Sequence, residues 1–175
     1  RQAVARLAIG DQFPHAAESP HPYAPGAPPG DLVWSHAITH PGALGIWVHF
    51  SALDLAAGDW AVVRDPSGLE AEVFTGSGPQ DLGAFWSRRI PGEGVVVEVW
   101  STGSTPGFGA VIDACAAAYE PVGTQSICGT NDLEDIKCEQ ATDPGALRAA
   151  NGVSRLTIFG DDGSVYACTG FRLEC

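Results

Sequence analysis

The sequence predicts an all-β chain, most of it an antiparallel β-sandwich of jelly-roll type. Three observations lead there. Apolar residues alternate with polar ones in short runs, as in I-W-V-H-F at Ile46–Phe50, and a period of two marks a strand with one face buried. Those runs are separated at short intervals by turn sequences such as D-P-S-G (Asp65–Gly68) and P-G-E-G (Pro91–Gly94). The 22 glycines and 13 prolines favour turns over long helices, and 45% hydrophobic residues are enough to fill a core.

Taken in order, Arg1–Gly10 alternates weakly and reads as a short helix or a strand. His15–Gly30 is proline-rich and reads as an extended linker or an irregular arm, so residues 1–30 form an N-terminal arm. Residues 31–119 read as the sandwich. L-V-W-S-H-A-I (Leu32–Ile38) alternates, and in the next run Ile46, Val48 and Phe50 share a face with His49 opposite. Leu53–Asp59 is a connection. Trp60–Thr75 reads as a hairpin turning at D-P-S-G. Phe85–Ile90 and Val95–Ser101 flank the P-G-E-G turn, and Gly107–Tyr119 closes the domain. Glu120–Gly123 is a linker. Residues 123–175 form a second segment. In it Asp143 and Pro144 could start a helix over Ala146–Ala150, a loop being the alternative. Leu156–Phe171 is a hairpin turning at G-D-D-G (Gly160–Gly163).

A net charge of −12 and a pI near 4.5 argue against nucleic acid and against an anionic membrane surface as partners. No apolar run is long enough to span a bilayer. The chain opens R-Q-A-V-A-R without an initiator Met or a signal peptide, which points to a processed form or a fragment. Its five cysteines are Cys115, Cys128, Cys138, Cys168 and Cys175, without the C-x-x-C spacing or adjacent histidines of a zinc site, so a secreted, oxidising setting is expected. An odd count leaves at least one thiol without an internal partner.

Two sets of residues carry a resemblance. W-V-H-F-S-A-L-D-L (Trp47–Leu55), G-D-W-A-V-V-R-D-P-S-G (Gly58–Gly68), F-W-S (Phe85–Ser87), V-E-V-W-S (Val97–Ser101) and G-F-G-A-V-I (Gly107–Ile112) resemble CUB-like sandwiches attached to secreted peptidases. S-I-C-G-T-N-D-L-E-D-I-K-C (Ser126–Cys138) and the hairpin ending in A-C-T-G (Ala167–Gly170) resemble the start of secreted chymotrypsin-like serine proteases of the bacterial lysyl-endopeptidase type. Residues 123–175 would then be the incomplete N-terminal part of a trypsin-like domain, contributing the first hairpin of its β-barrel. The chain would be the N-terminal fragment of a secreted endopeptidase, with the rest of the protease domain as its partner. The alternative is a non-catalytic extracellular module that binds protein or carbohydrate.

The resemblance implies that Cys128, Cys138 and Cys168 pair with cysteines beyond Cys175. Local pairing, Cys128–Cys138 and Cys168–Cys175, is the other possibility; the second needs a turn after Phe171. Catalytic residues are not expected in this chain. His15, His21, His36, His40 and His49 lack the family's His-Cys context, and neither G-x-S-x-G nor G-D-S-G occurs. Among the carboxylates Asp54, Asp59, Asp65, Glu70 and Glu72, the resemblance matches Asp59 to a calcium ligand of some CUB domains. It also matches Ala56 to a glutamate ligand position, and no Asp follows Ser101 where another is expected. Calcium needs six or more oxygens, so a solvated acidic rim and no metal or cofactor are expected. Trp34, Trp47, Trp60, Trp86 and Trp100 are read mainly as packing residues, with a sugar platform as the rival reading.

Overall fold

The computed structural model describes residues 7–103, 105–119 and 153–171. Contacts divide the chain into two units, residues 10–119 and residues 1–9 with 120–175. Among the described residues all regular structure is strand, apart from a 3-10 turn at Pro79–Asp81. The strands are β1 (Leu7–Glu18), β2 (Asp31–Thr39), β3 (Gly45–Asp54), β4 (Trp60–Arg64), β5 (Ala71–Phe74), β6 (Phe85–Trp86), β7 (Ile90–Pro91), β8 (Gly94–Ser101), β9 (Gly109–Ala118), β10 (Val153–Phe159) and β11 (Ser164–Phe171).

In the 10–119 unit, one antiparallel sheet runs β1-β9-β3-β6, with β7 also on β3, and the other runs β2-β8-β4-β5. The alternation of β3 places Ile46, Val48 and Phe50 at full burial, and His49 points to the other face. From the second sheet, Val95, Val97 and Val99 of β8 and Ala61 and Val63 of β4 are also fully buried and join the same core. Burying a Val, Ile or Phe side chain is worth about 1.5–3 kcal/mol, so these three segments supply much of what holds the sheets.

Two segments depart from the expected pattern. The proline-rich arm is partly strand: β1 runs through His15 to Glu18 and pairs with β9 from Gly10↔Ala118 to Glu18↔Val111. The ladder tolerates Pro14 because the register shifts between Pro14 and Ala17, and such an irregularity is where a residue without an N–H fits. Beyond Glu18 the arm runs without regular structure to β2. The expected strand Phe85–Ile90 is broken into β6 and β7. Between them Ser87 takes over the bonding, its N–H donating to the Val48 carbonyl (2.8 Å) and its hydroxyl accepting from the Val48 N–H (2.9 Å).

In the other unit, β10 and β11 form the expected hairpin, in register from Val153↔Phe171 to Phe159↔Val165. Its turn is closed by the Gly160 N–H on the Ser164 carbonyl (2.9 Å), and Gly163 has the positive φ (83°) that the turn requires. Val165 is buried, Ile158 half-buried and Leu156 exposed. The possible helix at Ala146–Ala150 lies outside the described residues.

Candidate functional site

Three connections of the 10–119 unit meet on one carboxylate. They are the arm between β1 and β2, the β3–β4 connection and the β8–β9 connection. Asp59, just before β4, is 1% exposed. Its Oδ2 accepts from the Tyr23 hydroxyl (2.6 Å) and the Ser101 hydroxyl (3.0 Å). Its Oδ1 accepts from the Thr102 N–H (2.7 Å) and the Thr102 hydroxyl (3.3 Å). A carboxylate offers about four acceptor positions; three are filled, and the fourth shares the single Thr102 hydroxyl proton with the Gly58 carbonyl (3.2 Å). Burial works against ionisation, but these bonds outweigh it, and the Asp59 carboxyl is held below the usual carboxylate range. Burial, then the bond to Asp59, pushes the Tyr23 phenol up. The Tyr23 oxygen also accepts from the Ala56 N–H (2.9 Å), so one ring ties the arm to the β3–β4 connection at two points. Gly107 has to be glycine here, because a Cβ would lie 2.8 Å from the Tyr23 hydroxyl oxygen and 2.6 Å from the Ala56 nitrogen.

Beside this network is an open cavity of about 560 Å³, lined by Asp54–Ala57 and by Gly103, Thr105, Pro106 and Gly107. Phe108, exposed and next in sequence to Gly107, stacks on His21 with ring centroids 4.1 Å apart.

Asp59 is therefore not part of a solvated acidic rim, and that expectation is corrected. Asp54 and Glu70 are exposed, whereas Asp65 and Glu72 are half-buried. Asp65 closes the D-P-S-G turn, accepting from the Ser67 hydroxyl, the Ser67 N–H (2.9 Å) and the Glu70 N–H (2.6 Å); the bonds, first that of the Ser67 hydroxyl, lower its pKa. Glu72 accepts from the Arg88 N–H (2.6 Å). Among the described residues no three His, Cys, Asp or Glu side chains are grouped as metal ligands would be.

A second charged cluster lies on the β8 face opposite the core. Glu98 is 7% exposed and takes both Nε (3.1 Å) and Nη2 (2.6 Å) of Arg64 on Oε1, with the Trp100 indole N–H on Oε2 (3.1 Å). The Arg64 bond, ahead of the opposing burial, holds the Glu98 carboxyl low. Trp100 and Trp60, cross-strand partners, stack with planes 6° apart, and a Cβ at Gly30 would come within 2.4 Å of the Trp60 ring. Their faces are thus turned to each other, and the edge of the Trp60 ring meets the arm at Gly30. Trp47 is buried; Trp34 and Trp86 are half-buried.

The five histidines are each committed to neighbours. His15 (β1) and His36 (β2) meet with Nε2 atoms 2.9 Å apart, one ring donating and the other accepting. Trp34 stacks on His36. Burial, then the nearness of His36, lowers the pKa of His15. His40 packs between Phe13 and Tyr119, and His21 on Phe108. His49 holds Asp113 through Nδ1 (2.6 Å) beside Trp86. Ser51, the next outward residue of β3, donates to the Val111 carbonyl (3.4 Å). Cys115 is a fully buried thiol, pushed up to about 12 by burial and then by Asp113. Cys168 is exposed on β11; Cys128, Cys138 and Cys175 lie outside the described residues.

Sequence reasoning missed Tyr23, Ser101, Thr102 and the His15–His36 pair. Only Tyr23 left a signal, as the single aromatic residue within H-P-Y-A-P-G. Compared with known proteins, the chain matches no family model, no curated protein and no solved structure.

Proposed function

We propose that the two sheets of residues 10–119 are a CUB-like sandwich acting as a non-catalytic accessory or pro-module of a secreted trypsin-like serine endopeptidase. In this reading β10–β11 is the first hairpin of the catalytic β-barrel, and the rest of that domain is the module's partner. The observation that carries the non-catalytic role is the commitment of all five histidines to packing or pairing, with none of them on a serine hydroxyl among the described residues. The A-C-T-G sequence on β11 supports the protease assignment. Peptide hydrolysis by an acyl-enzyme would belong to residues beyond Cys175.

The test is activity. The purified chain is expected to leave lysyl and arginyl esters unhydrolysed. A longer product of the same reading frame, carrying a strand that ends in His-Cys and later G-D-S-G, should cleave them. Turnover that follows this chain through purification and is stopped by a serine-directed reagent would overturn the reading.

A second reading, a module that holds protein or carbohydrate, is favoured by the outer face of β2-β8-β4-β5, where Leu32 is 47% and Val73 59% exposed. With the Trp60 and Trp100 faces turned inward on each other, protein is the better-fitting ligand. Retention of a protein substrate such as casein that Val73→Glu abolishes would support it.

A further inference from the structure

The resemblance to CUB domains makes calcium the ion to test at Asp59, and the donor set does not fit it. A hard cation needs six or more oxygens with free lone pairs. Here one carboxylate is present, and it already takes the Ser101 hydroxyl, the Tyr23 phenol and the Thr102 N–H, with the Thr102 hydroxyl shared between it and the Gly58 carbonyl. The Thr102 N–H can only turn a proton toward an ion, and the three hydroxyls, although their oxygens carry lone pairs, bring no negative charge to balance one. Ala56 brings a methyl group and Thr102 a hydroxyl to the positions where the resemblance expects carboxylates. Asp59 is 1% exposed, so an ion would have to strip off these bonds without water to replace them.

We propose that this end of the 10–119 unit is locked by its own hydroxyl groups in place of a cation, and that its three connections are ordered without metal. Tyr23 reaches in from the arm, Ser101 from the end of β8, Thr102 from the β8–β9 connection, and Asp59 from the β3–β4 connection. Together they make the cross-link that a bound ion would make between the same connections. The cavity bordered by Ala56 and Gly107 is then preformed, and whatever it receives is taken up without regard to calcium.

The experiment is thermal unfolding of the full chain in EDTA and in 10 mM calcium, with calorimetric titration of calcium alone. The expected result is the same Tm in both buffers and no saturable heat. A Tm several degrees lower in EDTA, or saturable binding near one equivalent, would overturn the proposal. Tyr23→Phe and Thr102→Val should each lower Tm equally in the two buffers. A loss that calcium reverses would mean that the ion can take Asp59, and it too would count against the lock. The double variant Ala56→Glu, Thr102→Asp supplies the missing carboxylates and removes the Thr102 hydroxyl bond, the N–H of residue 102 staying on Asp59. Its Tm should fall in EDTA and rise by about 4–8 °C or more with calcium. If it does not respond, saturation by hydroxyl donors is not what keeps the ion out, and the proposal fails.

Discussion

At the scale of single residues, the buried carboxylates decide more than their number suggests. Removing the Tyr23 hydroxyl leaves Asp59 one bond short and orphans the Ala56 N–H. Hydrogen bonds to a charged group are worth about 1.5–3 kcal/mol, so Tyr23→Phe should destabilise the chain by about 2 kcal/mol in denaturant titration. The Asp59 pKa is depressed in the fold. Its contribution is therefore complete above the unfolded value near 4 and is lost as pH falls through the lower folded value. Unfolding midpoints followed from pH 5 downward should show this loss, with a shallower slope in Asp59→Asn. Arg64→Met tests Glu98, which would keep its burial and only the Trp100 partner. Arg64 is 28% exposed, so the cost belongs at the low end, about 1.5 kcal/mol. The double variant with Glu98→Gln should recover part of it.

At the scale of elements, β2, β4, β5 and most of β8 could be read from alternation and turn chemistry, because one face meets the core and the period of two survives, whereas Gly45–Val48 of β3 and Cys115–Ala118 of β9 are buried on both faces and read as apolar runs between turns. What could not be read has a common cause. Proline argues locally against a ladder, yet β1 exists because β9 offers it a partner and a register shift absorbs Pro14. Phe85–Ile90 alternates like one strand, yet Ser87 meets β3 with its side chain and breaks it in two. The Asp59 network is assembled from residues far apart in sequence, and spacing within one segment cannot announce it. The same holds for His15 and His36, which join β1 to β2 across the two sheets. Two head-on imidazoles can share one proton but cannot both be charged. His15 has a lowered folded pKa, so its contribution stands above the unfolded value near 6.5 and is lost as pH falls through the folded one. Tm measured from pH 7.5 to 5 should fall, and His36→Gln should flatten that fall; an unchanged slope would remove the pair from the explanation.

For the whole molecule, the division into 10–119 and the remainder has a consequence for proteolysis. Limited digestion should leave a stable core ending near Tyr119. First cuts inside Ile46–Ser101 would show that the core does not hold together as one unit. Thiol titration of the denatured, unreduced chain should count two or more free groups among Cys128, Cys138, Cys168 and Cys175 if their partners belong to a longer protein. Cys115 adds one to the total. A single free thiol in all would mean that the four pair among themselves.

The break at Ser87 also bears on self-association. A strand at the margin of a sheet presents a row of unpaired amides on which another chain can template. Here the margin of β3 is covered by two pieces of two residues each, with a serine side chain and Arg88 and Arg89 between them. Neither piece is long enough to seed a cross-strand ladder, and the arginines bring charge to the gap. The fold thus gives up one regular strand and in return leaves the β3 margin without a continuous edge on which a second chain could pair.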